Sequence, residues 1–190
     1  IDISQYSGNL KWSGGVLAPN NCIYAIPFNA NQVLKINTTD DSITLIGNLS
    51  GTSKWSGGVL GANGKIYGIP YNSGSVLEID TNTDTVSTFG NLNGQTITDK
   101  KWSGGVLAPN GKIYGIPNNS NLIIEITTDT YGISLINTNK TNTEKWKGGV
   151  LANNGFIYTI PHYENSILYF GSTASNIDEN MTLSRYLNKF

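Results

Sequence analysis

The string Lys-Trp-Ser-Gly-Gly-Val-Leu begins at Lys11, Lys54 and Lys101 and returns as Lys-Trp-Lys-Gly-Gly-Val-Leu at Lys145, at intervals of 43, 47 and 44 residues. Each copy runs on through a hairpin turn into Ile-Tyr-x-Ile-Pro, at Ile23 to Pro27, Ile66 to Pro70, Ile113 to Pro117 and Ile157 to Pro161. A unit this short cannot bury its own apolar faces, so a chain built from it must stack the copies. The units span residues 11–53, 54–100, 101–144 and 145–171 of one domain covering 1–190.

Within a unit, short runs rich in Val, Ile, Leu and Tyr are bounded by Asn, Gly, Asp and Thr clusters, the pattern of strands and turns. In the second unit the strands read Gly57 to Gly61, Lys65 to Ile69, Val76 to Asp80 and Val86 to Phe89, with Asn63-Gly64 supplying a tight hairpin turn. Four strands in a unit of this length make one propeller blade. The expected fold is all-β, a four-bladed β-propeller of four-stranded antiparallel blades. Residues 1–10 resemble the fourth-strand segments Ser42 to Leu49 and Thr85 to Leu92, and so are expected to complete the last blade beside Ile167 to Phe170 and close the ring. Residues 172–190 would then be a short, partly helical C-terminal appendage. The rival is Met181 to Ser184 as the last blade's own fourth strand, which would mark the chain as part of a longer propeller.

The stretch Trp102 to Pro117, Trp-Ser-Gly-Gly-Val-Leu-Ala-Pro-Asn-Gly-Lys-Ile-Tyr-Gly-Ile-Pro, resembles a repeat of largely uncharacterised microbial propeller proteins over residues 11–170. In blade length and tryptophan use it is also similar to the tachylectin-like sugar-binding propellers. That second resemblance, one of period rather than of matched motif, implies a lectin. Propellers host enzymes, lectins and scaffolds alike, so the fold alone decides no function.

Composition removes several classes. Twelve Lys+Arg stand against 13 Asp+Glu, with a formal net charge of −1, and no basic face offers itself to nucleic acid. The single cysteine, Cys22, and the single histidine, His162, leave no metal-ligand cluster, and no cofactor is implied. Asp80, Asn82 and Asp84 alternate as in calcium loops but lack the following glycine and the distal glutamate, so they read as a turn. No apolar run is long enough to span a membrane. The compartment is left open, with an extracellular or cell-surface one favoured; five Asn-x-Ser/Thr triplets are what chance supplies in a chain this rich in Asn, Ser and Thr.

Residues present in every unit serve either the blade or a site displayed four times. The paired glycines and the tyrosines Tyr24, Tyr67, Tyr114 and Tyr158 read as blade packing. Trp12, Trp55, Trp102 and Trp146 read either as buried between blades or as exposed platforms for sugar rings. Lys11, Lys54, Lys101 and Lys145 read either as solvated loop ends or as an anion-facing ring. Antiparallel pairing brings these entrances beside the loops after the second strands, which carry Asn29, Tyr71, Asn72, Asn119 and Tyr163. The expectation is a non-catalytic module in which these residues bind carbohydrate weakly and multivalently. The alternatives are a protein-interaction scaffold and a propeller hydrolase or lyase. No catalytic constellation is visible: His162 has Glu164 as its neighbour in sequence, and Glu78 and Glu125 share a strand position with Lys35 and Tyr169.

Overall fold

The computed structural model describes residues 1–94 and 99–171, which form an all-β fold with no helix. The first sheet holds β1 (Trp12–Leu17), β2 (Cys22–Pro27), β3 (Val33–Asn37) and β4 (Ile43–Ile46). The second holds β5 (Trp55–Leu60), β6 (Ile66–Pro70), β7 (Val76–Asp80) and β8 (Thr85–Phe89). The third holds β9 (Trp102–Leu107), β10 (Ile113–Pro117), β11 (Leu122–Thr127) and β12 (Gly132–Asn137). The fourth holds β13 (Trp146–Leu151), β14 (Ile157–Pro161) and β15 (Tyr169–Phe170), three strands among the described residues. Neighbouring strands are antiparallel and in chain order, so the molecule is a four-bladed β-propeller with one blade per repeat.

The innermost strand of each blade starts at its tryptophan, earlier than the sequence pattern suggests. Trp12 pairs with Pro27, and pairing then resumes at Gly15 with Ala25 across a bulge. The same irregularity follows Trp55 and Trp146 and lies between the Gly115 and Pro117 pairs of the third blade. Gly14, Gly57, Gly104 and Gly148 sit in the bulge with φ between 72° and 81°, a left-handed conformation that favours glycine.

These glycines also line the axis. A Cβ on Gly14 would come within 3.2 Å of the Gly57 Cα, one on Gly57 within 3.1 Å of Gly104, and one on Gly104 within 3.3 Å of Gly148. Outward from the axis, Ile26 of the first blade covers Gly58 of the second, Ile69 covers Gly105 and Ile116 covers Gly149. All three isoleucines are fully buried. Each hydrophobic cluster accordingly spans a junction: Trp55, Ile66 and Leu77 of the second blade pack with Tyr24, Ile26 and Val33 of the first. The core lies between blades rather than within them.

The junction between the fourth blade and the first is open among the described residues. Gly148 has nothing within 4 Å of an added Cβ, and Ile160, the counterpart of the three buried isoleucines, is 49% exposed.

Closure by an N-terminal strand does not occur. Residues 1–10 contain no strand and lie against the first blade, where Lys11 Nζ donates to Tyr6 O (2.7 Å), Asn29 Nδ2 donates to Asn9 O (3.1 Å) and Tyr6 meets Trp12 edge-on. The reason is register. Leu10 (φ 50°) takes the left-handed place held by Ser53, Lys100 and Glu144 (φ 49° each) before the later lysines. Counted back from there, the positions of β4 fall at residues 0–3, so only the first three residues reach the place of a fourth strand. The proposed appendage at 172–190 and the rival strand at Met181 to Ser184 lie outside the described residues.

Gly57→Ala combines left-handed strain with a contact against backbone, and is expected to lower stability by about 1–3 kcal/mol. Gly64→Ala carries similar strain (φ 79°) in open space. Urea unfolding should show the larger loss for Gly57→Ala.

Candidate functional site

One end of the blades gathers the connectors leading into the innermost strands and the loops after the second strands. The repeated residues there are used by the fold. Each indole Nε1 donates to a backbone carbonyl: Trp12 to Gln32 (2.9 Å), Trp55 to Ser75 (2.8 Å), Trp102 to Leu122 (2.7 Å) and Trp146 to Ser166 (2.8 Å). Trp55, Trp102 and Trp146 are buried, and no face is left on which a sugar could stack. Trp12 is half-buried and borders a shallow recess lined by Gln5, Tyr6, Asn31, Gln32 and Leu45.

The lysines are staples rather than a ring. Lys54 Nζ donates to Phe28 O (3.2 Å) and Ala30 O (2.8 Å) of the preceding blade and to Gly51 O (2.9 Å) of its own connector. Lys145 Nζ reaches Asn119 O (3.2 Å) and Asn142 O (2.6 Å). Lys54, Lys101 and Lys145 are buried, so they do not face an anion; Lys11 is half-buried. Asn29, Asn72 and Asn119 accept through Oδ1 from the backbone N–H of Ser53 (2.8 Å), Lys100 (2.7 Å) and Glu144 (2.7 Å), the residue before each following lysine. Of the other expected ligand residues, Tyr71 packs its ring on Phe28 (5.4 Å) and Tyr163 is exposed against His162.

Chemistry appears where the four-fold pattern breaks. The residue before each repeated lysine is Leu10, Ser53, Lys100 and Glu144 in turn; the residue after each tryptophan is Ser13, Ser56, Ser103 and Lys147; the first loop residue is Phe28, Tyr71, Asn118 and His162. The polar departures meet on the third and fourth blades. Lys100 Nζ pairs with Glu144 Oε1 at 2.8 Å, Glu144 Oε2 lies 3.8 Å from His162 Nδ1, and Lys147 Nζ is 3.1 Å from His162 Nε2. The hydrogen bond from Lys100 holds the Glu144 carboxyl below its ordinary value, and the same bond raises Lys100. An Nε2 that accepts from Lys147 leaves the imidazole proton on Nδ1, on the side of Glu144, whose carboxylate at 3.8 Å is a charged neighbour beyond hydrogen-bond length. Such a cluster can take up and return a proton. Phe28 and Tyr71 continue the same ring of positions as a small aromatic shelf, and burial pushes the Tyr71 hydroxyl up.

The carboxylate beside His162 in sequence is not the one it faces. Glu164 is buried and receives hydrogen bonds from Lys140, Asn142 and Ser166, whereas Glu144, distant in sequence, faces His162. Lys100, Glu144 and Lys147 were missed; the signal was there in Lys147, the one departure inside the repeated motif. At the opposite end, Glu78 and Glu125 pair with Lys65 and Lys112, and Asp84 pairs with Lys35 (2.6 Å). No group of three His, Cys, Asp or Glu among the described residues is placed to hold a metal ion, and no described helix is long and apolar enough to cross a membrane.

No protein-family model and no curated protein matches the sequence. Among solved structures, a streptogramin B lyase matches with a TM-score of 0.73 and 18% identity over 97% of this chain and 57% of that one. Virginiamycin B lyase from Staphylococcus aureus matches with a TM-score of 0.69 and 17% identity over 87% and 54%. A catalytically inactive histidine-to-alanine variant of that lyase, with quinupristin, matches at 0.67 and 17% over 86% and 54%. The fold is shared. At this identity nothing more is shown, and the chain spans just over half the length of these neighbours. The carbohydrate-binding expectation is corrected: the neighbours are lyases rather than lectins, and three of the four indoles meant to stack on sugar are buried.

Trp102→Ala should cost about 3–5 kcal/mol in urea unfolding, as for other buried aromatics. Burial pushes Lys101 and Lys145 down to about 8, against roughly 10.4 for an unfolded lysine. Between those values the unfolded chain binds more protons, so the contribution of these lysines to stability is gained as pH rises through the window and is smallest below it. The urea midpoint should therefore rise between pH 8 and 10 in the native chain, and rise less in Lys145→Met.

Proposed function

We propose that this chain is a propeller enzyme of the lyase or hydrolase kind, with its proton-transfer centre at His162. The observation that carries the reading is the convergence of the sole histidine with Lys147 and Glu144 on the loop face, at the place where the four-fold repetition fails. His162 Nε2, freed as Lys147 turns to the substrate oxygen, is the proton carrier. Glu144, itself held by Lys100, orients the ring through Nδ1, the logic by which a carboxylate steadies a histidine base in hydrolases. Lys147 places positive charge where negative charge develops on a substrate oxygen. The Phe28–Tyr71 shelf takes an apolar substrate group on the same face.

The inactive histidine variant of the similar lyase supports a role for histidine on this fold, and quinupristin is the first substrate to offer. The test incubates the folded chain and His162→Ala with quinupristin and a panel of lactones and cyclic esters, followed by mass spectrometry. Turnover by the native chain and a loss of about 10²–10⁴-fold in the variant are expected. No turnover of any compound, or equal turnover by both proteins, overturns the proposal.

A further inference from the structure

The three closed junctions share one set of contacts. The isoleucine before the proline of the second strand covers a glycine of the next blade, as Ile26 covers Gly58, and Val16 covers the same glycine. The backbone N–H of the next blade's lysine donates to the first loop residue: Lys54 to Phe28 O (2.9 Å), Lys101 to Tyr71 O (2.8 Å) and Lys145 to Asn118 O (3.0 Å). At the first junction, Tyr24 and Lys35 also reach Asp84, at 2.8 and 2.6 Å.

Two faces are open among the described residues, and they carry the complementary halves of that set. On the fourth blade, Val150 and Ile160, the counterparts of Val16 and Ile26, are 59% and 49% exposed. On the first blade, Gly15 has no neighbour outside its own blade, Asp41 (φ 58°) holds the exposed turn position of Asp84 (φ 56°), and the Lys11 N–H stands where Lys54 donates. We propose that two copies of this chain close head to tail into an eight-bladed ring, the fourth blade of each docking on the first blade of the other. Val150 and Ile160 would cover Gly15 of the second copy, the Lys11 N–H would donate to His162 O, and Asp41 would accept from the Tyr158 hydroxyl. Tyr163 stands where the other loops carry asparagine, so this junction lacks that one bond.

Blade number sets the copy number. One copy leaves its first and fourth blades unjoined among the described residues, and three copies would give twelve blades. Two copies give eight blades, within the range of about four to eight in which propellers close. A head-to-tail contact closes only if its rotation fits; otherwise it grows into filaments. The net charge of −1 per copy opposes pairing little. This proposal does not rest on the enzymatic one.

The test is native mass spectrometry and sedimentation of the full chain at micromolar concentration. A species of about 41 kDa, twice 20.5 kDa, is expected. Val150→Asp with Ile160→Asp, both at exposed positions, should give a folded monomer, as should Gly15→Leu on the opposite face. Mixing these two proteins should restore a pair through the one intact junction, which an interface made by the same patch on both copies could not do. A monomeric native chain overturns the proposal, whatever else covers the faces, residues 172–190 or further blades of a longer chain included. So do growing oligomers, or a dimer that survives the Val150 and Ile160 changes; should Gly15→Leu fail to fold, the native mass and the fourth-blade variant decide.

Discussion

Backbone touching backbone at the axis is the constraint on which the other features depend. With a Cβ on Gly57 held to 3.1 Å from its neighbour's Cα, the inner strands leave no space for side chains between successive glycines. The left-handed glycine that permits the approach also makes the bulge, and the bulge carries the tryptophan into the strand beyond it, paired with the last proline of the second strand. From there the indole turns into the junction. One local backbone choice thus fixes the axis, the strand length and the burial of the largest side chain in the repeat.

The polar groups that meet on the surface are correspondingly displaced from repetition. Tryptophan, lysine and loop asparagine recur because every junction needs an apolar plug, a cationic staple and an amide acceptor. Their side chains are spent on neighbours, and the groups left to face solvent with one another are the departures: Lys100, Glu144, Lys147 and His162. Four equal units give a frame, and the differences between units bring charged groups together on one part of the loop face.

Strand order and blade number were legible because a period near 45 residues and apolar runs bounded by turn residues admit few arrangements. The β7 bounds Val76–Asp80 were read without error, since Asp80 begins a turn chemically distinct from the strand. The start of β1 was not, because Lys-Trp looks like a loop end unless the bulge at Gly14 is known. The N-terminal segment misled for a related reason: Gly-Asn-Leu recurs at 8–10 and 47–49, yet its distance to the next lysine differs by four residues, and that distance decides register. Of the candidate site, the loop face was legible from antiparallel geometry. The pairing of His162 with Glu144 was not, since it joins a loop and a connector whose separation in sequence says nothing of their separation in space.

The lysine staples couple the blades in a way the apolar contacts do not. A hydrophobic face gains something from any partial cover, but the Lys54 ammonium finds its set of carbonyl acceptors only when the preceding blade's loop is already shaped around it. Half-docked, the charge would leave water without its acceptors, at a cost of several kcal/mol. Each junction is therefore close to all-or-none, and the order of one blade favours that of the next, while Lys11 of the first blade is held instead by the Tyr6 carbonyl of its own N-terminal segment.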